Sequence, residues 1–594
     1  MKQAAARSDP GALWAQAEAA YRGGRLQQAE GLLAQVRSAV GPHAAVLHLS
    51  ALVAKQDKRL AEAESLFQQA LRLAPRDPEL LGNWANLLGE LGRPEEALEA
   101  YGQALAARPG FASALLNRAT LLGKLGRHGE ALADLAAAES TGNRQAQLYS
   151  TRGGSLLALN QLALAANAYD QAIALDPDRV KALAGRASAA MQRGEPQASA
   201  LLRRAVALRP DDPALQLQLA EALEAEGSEH ALTVLEAAVE RQPDWADGQR
   251  ALARMRWEAG RSEDFTDALE RRLADAPDRP ELWRALADAL ATADRHAAAA
   301  EAARRGRAAV GDLPELLAVE AVQLSEAGDV AGADRAFDQL RRLSPGARLA
   351  EARHRLRTRE HDQARALVGE ALRDDRWSVT AWALQGILWR LADDRRSAWL
   401  HGQPGLYAAH ELPLDESALA AIAACLRRLH RTRAHPLGQS LRGGTQTRGR
   451  LFERLEPEVR QLRVAIEAAL LEHWQALPPR DDMHPLLRHR DRRPVLDGSW
   501  SVRLTDGGFH VAHIHPHGVI SSACYLVVPP SSDAQEGYLE VGGPPPELGL
   551  ALGPVASFAP APGRMVLFPS TMYHGTRPFR HGERLTAAFD VAVQ

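Results

Sequence analysis

The 594-residue chain has only two cysteines, Cys425 and Cys524, and their surroundings are unlike. That excludes a disulfide framework. No apolar run approaches the length of a membrane span, and the first ten residues carry no apolar signal core, so a soluble, cytoplasmic protein is expected. Charge of one sign is also lacking. With 71 Lys and Arg against 74 Asp and Glu, the formal net charge of −3 leaves no basic footprint for nucleic acid and no polybasic membrane patch. Aromatic residues make up only 5% of the chain, so most of its helices must pack on small and aliphatic side chains.

What is present falls into two textures. From about residue 11 to 375 the chain is rich in Ala and Leu and reads as successive helices. Ala29, Ala63, Ala97, Ala131 and Ala165 recur every 34 residues, and Ala198 and Ala231 follow at 33. Four residues after each stands a larger side chain: Leu33, Phe67, Tyr101, Leu135, Tyr169, Leu202 and Leu235. A second Ala follows three residues later in most units, and Pro75, Pro109, Pro177, Pro210 and Pro243 close them. Small residues let two helices approach, the larger one fills the groove between units, and Pro ends the second helix. A 34-residue helix-turn-helix period resembles the tetratricopeptide repeat. About ten or eleven units, the last of them degenerate around Ala333 and Ala364, would stack into an all-α superhelix over residues 1–400.

Past residue 400 the pattern changes. Residues 401–434 read as a connecting segment with one helix at about 415–431, and another helix is expected at about 455–476. From Gly498 the period is nearer two, with short runs at Ser499–Leu504, Phe509–His515, Ile520–Val528, Tyr538–Val541, Met565–Phe568 and Thr586–Val593. Short strands broken by Gly and Pro imply a β-barrel or sandwich.

Within that half, Phe509-His-Val-Ala-His-Ile-His-Pro-His517 places His513 and His515 two apart. On a strand such residues share a face and can grip one ion. His510 is out of that phase and His517 lies in the following turn. His574, after the strand Met565–Phe568, could swing toward the pair as a third ligand. Imidazoles suit Fe(II), and three protein ligands leave positions open for a cosubstrate and dioxygen. Arg584, with Thr586 beside it, can hold a dicarboxylate through its planar fork.

The runs 498–504, 508–516 and 520–525, then Leu567-Phe-Pro-Ser570, His574 and Arg584, resemble a bacterial group of 2-oxoglutarate- and Fe(II)-dependent oxygenases. His435-Pro-Leu and Gln439–Thr447 extend the likeness, which covers residues 435–594. It implies a mostly-β double-stranded β-helix (jelly-roll) domain with flanking helices. His513 and His574 would be iron ligands, and Arg584 would hold the distal carboxylate of 2-oxoglutarate. The wider superfamily carries a carboxylate where His515 stands. His515 is therefore either a third ligand or a support for the other two, and halogenase-like or thiol-dioxygenase-like reactivity stays open. Ala512 occupies a position where the group usually has Asn.

Tyr525 could touch the cosubstrate or belong to the core, Cys524 faces the other way, and Arg503 faces either the cavity or an ion-pair partner. Arg442-Gly-Gly-Thr-Gln-Thr447 is expected to be a Gly-hinged loop at the mouth, with Arg442 near substrate. In the repeats, Asn83, Asn86 and Asn117 can bind a peptide backbone through donor and acceptor together, or serve packing between repeats. The resulting expectation is a dioxygenase that hydroxylates a protein or peptide captured in the repeat groove. Its rivals are an oxygenase of a small molecule or glycan with the repeats as scaffold, and a catalytically silent interaction protein.

Overall fold

In the computed structural model, residues 9–340, 344–530 and 535–594 are described. They divide into two compact units, residues 1–189 and 190–594.

The first unit is a run of helical hairpins, starting with Pro10–Arg22 against Leu26–Val40 and Ala44–Gln56 against Leu60–Leu73. Three further first helices start at Pro78, Ala112 and Ala146, and the second helices of those hairpins at Pro94, His128 and Leu162. The repeat signature explains the packing. Ala29, Ala63, Ala97, Ala131 and Ala165 are all fully buried, with Phe67, Tyr101 and Tyr169 wedged among them. Asp77 caps its helix by accepting from the backbone of Glu79 and Leu80, which satisfies two of the N–H groups left free at a helix start. At the hairpin turns Gly24, Gly92 and Gly126 adopt positive φ, where a side chain would strain the backbone.

In the second unit the hairpins continue from Ala198 to Leu391, and a short helix, Arg396–His401, ends the series. Among the described residues nine strands follow: β1 (Ala408–Glu411), β2 (Leu441–Gln446), β3 (Pro494–His510), β4 (Ile520–Val527), β5 (Leu539–Val541), β6 (Ala556–Phe558), β7 (Arg564–Pro569), β8 (His574–Thr576) and β9 (Arg584–Val593). They form a six-stranded antiparallel sheet, β1-β7-β4-β9-β3-β2, and a three-stranded one, β6-β5-β8. This two-sheet arrangement is the expected double-stranded β-helix. The helices Glu416–Leu429 and Pro457–Ala476 lie close to the expected spans and share a core with the large sheet, in which Ile466, Ile520, Phe589 and Val591 are fully buried.

Four local expectations differ from what is found. Residues 401–434, read as a connector, supply β1, which pairs with β7 from Ala408↔Leu567 to Glu411↔Arg564. The runs Ser499–Leu504 and Phe509–His515 are not separate strands, because β3 continues through Gly507-Gly508. The expected mouth loop at 442–447 is strand β2 up to Gln446. Its glycines and those of β3 meet in a bulge between Arg442 and Gly444, where a Cβ on Gly444 would fall 2.2 Å from the Arg503 carbonyl. Finally, β3 stops at His510. Its last partner is Leu441, and beyond that point Val511 N–H bonds the Ser440 carbonyl before the partner strand runs out. His513 and His515 therefore follow the strand and are not part of it.

The later repeats dock on this β domain. Arg448 pairs with Glu224 and Glu258, and Arg442 with Asp294. Trp257 Nε1 donates to the His435 carbonyl at 2.9 Å. Arg390 donates to the Gly542 and Gly553 carbonyls, and Arg353 reaches Glu547 at 3.0 Å. No helix among the described residues is long and apolar enough to cross a membrane.

Candidate metal centre

Two backbone pairings and one side-chain contact bring the histidines together. His513 and His574 form an isolated antiparallel bridge, each N–H donating to the other's carbonyl at 3.0 and 2.9 Å. His574 also opens β8, which pairs with β5 through Val541↔His574. His515 is held through its side chain: its Nδ1 lies 2.6 Å from Asp590 Oδ1 on β9. The ligand atoms of His513, His515 and His574 all lie within 4.8 Å of one another.

The hydrogen bonds also set the tautomers. His513 Nδ1–H donates to the Val511 carbonyl at 2.9 Å, and His574 Nδ1–H to the Met572 carbonyl at 3.2 Å. A carbonyl can only accept, so each ring keeps its proton on Nδ1 and presents a bare Nε2. The Asp590 carboxylate does the same for His515 and takes a further hydrogen bond from Ser521 Oγ at 3.2 Å. His513 Nε2 and His515 Nε2 are 3.1 Å apart. With bonds of about 2.1 Å, two nitrogens on adjacent positions of one ion would stand about 3 Å apart. Burial holds His513 neutral, its pKa pushed down to about 3, and lowers His574 as well. Three imidazoles whose nitrogens converge on one point fit a divalent metal, and Asp590 behind His515 supplies the negative charge that the ligand set lacks.

The same cavity, of about 770 Å³, is lined by Arg584, Thr586, Ala588 and Asp590, alternate residues of β9 that share one face. Arg584 is 2% exposed. Among the described residues it has no carboxylate partner. Its Nη1 and Nη2 make only long contacts to the Gly537 carbonyl (3.3 Å) and Tyr525 Oη (3.4 Å), and its Nε has none. Desolvation lowers its pKa. A buried guanidinium with so little protein compensation calls for an anion, and its fork suits a carboxylate.

The other expected residues are placed as follows. Tyr525 is fully buried under Arg584, whose guanidinium lies 5.0 Å from its ring. Thr586 lines the cavity, its hydroxyl only 3.5 Å from the Val502 carbonyl. Arg503 pairs with Glu583 at 2.6 Å and Cys524 is buried in the core. His517 is exposed in the turn. Arg442 lines the cavity and is anchored on Asp294. The three asparagines lie in the first unit and bond within it. Asn83 contacts His48 at 3.0 Å, while Asn86 accepts from Tyr101 at 2.5 Å and from Asn117 at 3.2 Å.

Sequence reasoning missed Asp590, Ser440 and His510. Ser440 Oγ lies 3.0 Å from His510 Nδ1 and 3.2 Å from His513 Nε2. Asp590 was readable: it repeats the two-residue phase of Arg584 and Thr586. Nothing local announced Ser440, nor that Thr292, Asp294 and Gln323 of the repeats would line the cavity.

Comparison with known proteins agrees with this geometry. Residues 498–590 match the family described as "Putative 2OG-Fe(II) oxygenase". Residues 15–78, 83–146 and 151–213 match the tetratricopeptide repeat. The chain thus joins a region that matches the tetratricopeptide repeat to one that matches an oxygenase family. No curated protein matches it. Among solved structures it is similar to a thermophilic tetratricopeptide protein of Thermus thermophilus, at 25% identity and a TM-score of 0.27, over 30% of this chain and 98% of that one. A tetratricopeptide protein from Parabacteroides merdae is similar at 16% identity and a TM-score of 0.32, over 47% and 98%. MamA from Desulfovibrio magneticus is similar at 20% and 0.27, over 28% and 96%.

Proposed function

We propose that the protein is an Fe(II)- and 2-oxoglutarate-dependent dioxygenase that hydroxylates a protein or peptide side chain. Iron is held by His513, His515 and His574, and the distal carboxylate of 2-oxoglutarate by Arg584, with Thr586 and Tyr525 beside it. With dioxygen, that pair supplies oxidising power as 2-oxoglutarate is decarboxylated to succinate. The residues of the chain orient the components. Asp590 fixes the His515 tautomer, the Val511 and Met572 carbonyls fix the other two, and the buried wall around Arg584 strengthens its attraction for a carboxylate by excluding water.

The observation that carries this reading is the pairing of two features in one cavity. Three bare imidazole nitrogens converge there, and a buried guanidinium without a carboxylate partner lies on the same wall. Tetratricopeptide repeats bind peptides and partner proteins. Because the repeats after residue 190 are engaged with the β domain, we assign partner recruitment to residues 9–189. Both cysteines are free and buried, in keeping with a reducing cytoplasm.

Anaerobic titration with Fe(II), with and without 2-oxoglutarate, tests the centre. The wild-type protein should develop a visible metal-to-ligand charge-transfer band only when both are present. Iron binding with no such band at saturating 2-oxoglutarate would remove the cosubstrate assignment.

A further inference from the structure

Beside the metal cavity lies a second one, of about 610 Å³. One wall belongs to the repeats and includes Glu221, Ala225 and Arg254; the other includes Thr432, Leu437 and Thr447 of the β domain. Gln439, Gln446 and Trp500 line both cavities, so the two meet at these three side chains. Neither carboxamide has a hydrogen-bond partner among the described residues. Thr432 Oγ1 is buried and likewise lacks one.

Most charges along this cavity satisfy one another, Arg431 at its rim donating only to the Glu226 carbonyl. Arg254 lies 3.4 Å from Glu224 and 3.5 Å from Glu258, Arg448 pairs with the same two carboxylates, and Arg450 pairs with Asp497 at 3.0 Å. Apart from Arg431, the polar capacity left over is neutral: amide donors and acceptors and a hydroxyl. Gln446 also belongs to β2, the terminal strand of the large sheet, one edge of which has no neighbouring strand among the described residues. A carboxamide matches a peptide group donor for acceptor. A free strand edge accepts an extended peptide as one more strand. Carboxamides and an indole would suit a sugar as well, but a free strand edge beside the cavity favours a polypeptide.

We propose that the second cavity binds the main chain of a polypeptide substrate next to the residue presented to the metal. Gln439 and Gln446 hold its peptide groups, β2 receives it along its free edge, and Trp500 packs against it where the two cavities join. This rests on the oxygenase reading for what happens at the metal, and its test is independent of that reading.

The experiment uses the full chain and a randomised linear peptide library displayed on phage, counter-selected on an Ala225→Trp variant whose indole fills the cavity. Peptides enriched on the wild type should lose at least about tenfold in affinity on Gln439→Ala/Gln446→Ala, as expected for two lost hydrogen bonds. Unchanged thermal unfolding of both variants would show that the loss is local. Enriched peptides that bind the glutamine variant as well as the wild type, or no enrichment over the counter-target, would overturn the proposal. So would oligosaccharides from a glycan array whose binding depends on the same glutamines. A glutamine-dependent peptide without any Fe(II)/2-oxoglutarate charge-transfer band would sink the oxygenase reading while leaving the cavity assignment standing.

Discussion

The repeats before and after residue 190 are built from the same hairpin, yet their polar side chains have different partners. In residues 9–189 they bond within the stack: Asn83 to His48, Asn86 to Asn117 and Arg152 to Glu139 at 2.7 Å between neighbouring repeats, and Arg118 to Asp134 at 2.6 Å within one hairpin. After residue 190, Glu224, Trp257, Glu258, Asp294, Arg353 and Arg390 reach across to the β domain. The small-residue signature governs how hairpins stack and says nothing of what the remaining surface touches. One motif therefore bonds to its own stack in the first unit and serves as a cradle for the β domain in the second.

Acid should separate the two units most strongly. Burial holds His401 near a pKa of about 3, and His430, His473 and His489 near about 4. In the unfolded chain these imidazoles take up protons below about 6.5, while the folded unit resists until far lower. Their contribution is therefore complete above about pH 6.5 and is lost as pH falls toward 4. Together they should cost the second unit several kcal/mol, on the order of 1.4 per imidazole per pH unit before allowing for partial exposure. Among the described residues, the first unit has no fully buried histidine. Circular dichroism melts from pH 7 to pH 4.5 should split into two transitions, with the second unit failing first. A single transition that moves uniformly would erase the contrast.

Arg448→Ala breaks the docking ion pairs and leaves Glu258, whose side chain is 2% exposed, with only the longer contact to Arg254. Losing one partner of a buried pair should destabilise the second unit by about 3 kcal/mol, with no change in the first, as read by urea unfolding followed separately in each unit. His574→Ala should weaken Fe(II) binding by more than about a hundredfold, beyond the loss expected from a supporting residue alone, while the helical signal persists. Normal iron stoichiometry in that variant would refute the centre. Arg584→Lys keeps the charge but loses the fork, so 2-oxoglutarate affinity should fall about ten- to a hundredfold with iron binding intact. The smallest effect belongs to Asn86→Ala. It should cost about 1 kcal/mol, confined to the first unit, and leave iron and 2-oxoglutarate binding untouched.

The repeat was legible because its spacing, small residue and large residue are all local in sequence. The barrel was legible in outline, since alternation marked β4, β7 and β9 and the separation of His513, His574 and Arg584 marked the centre. What escaped was tertiary. The glycine pair at 443–444 reads as a hinge and that at 507–508 as a break between two strands, but Gly444 and Gly508 are needed because another backbone passes too close for a Cβ. Strand β1 is four residues long and is defined only by its partner β7. His513 and His515 were placed by strand phase. Their convergence comes instead from a bridge to His574 and a carboxylate on β9, neither of which is visible from a spacing of two.

That bridge has one more consequence. Two of the three candidate ligands are fastened to each other by a reciprocal pair of peptide hydrogen bonds, so their spacing is inherited from the main chain and would not wait for a cation. A cradle of that kind is rigid before loading. Swapping Fe(II) for Mn(II) or Co(II) should leave the backbone where it stands, and a protein whose iron has been oxidised and released should take up fresh iron without refolding.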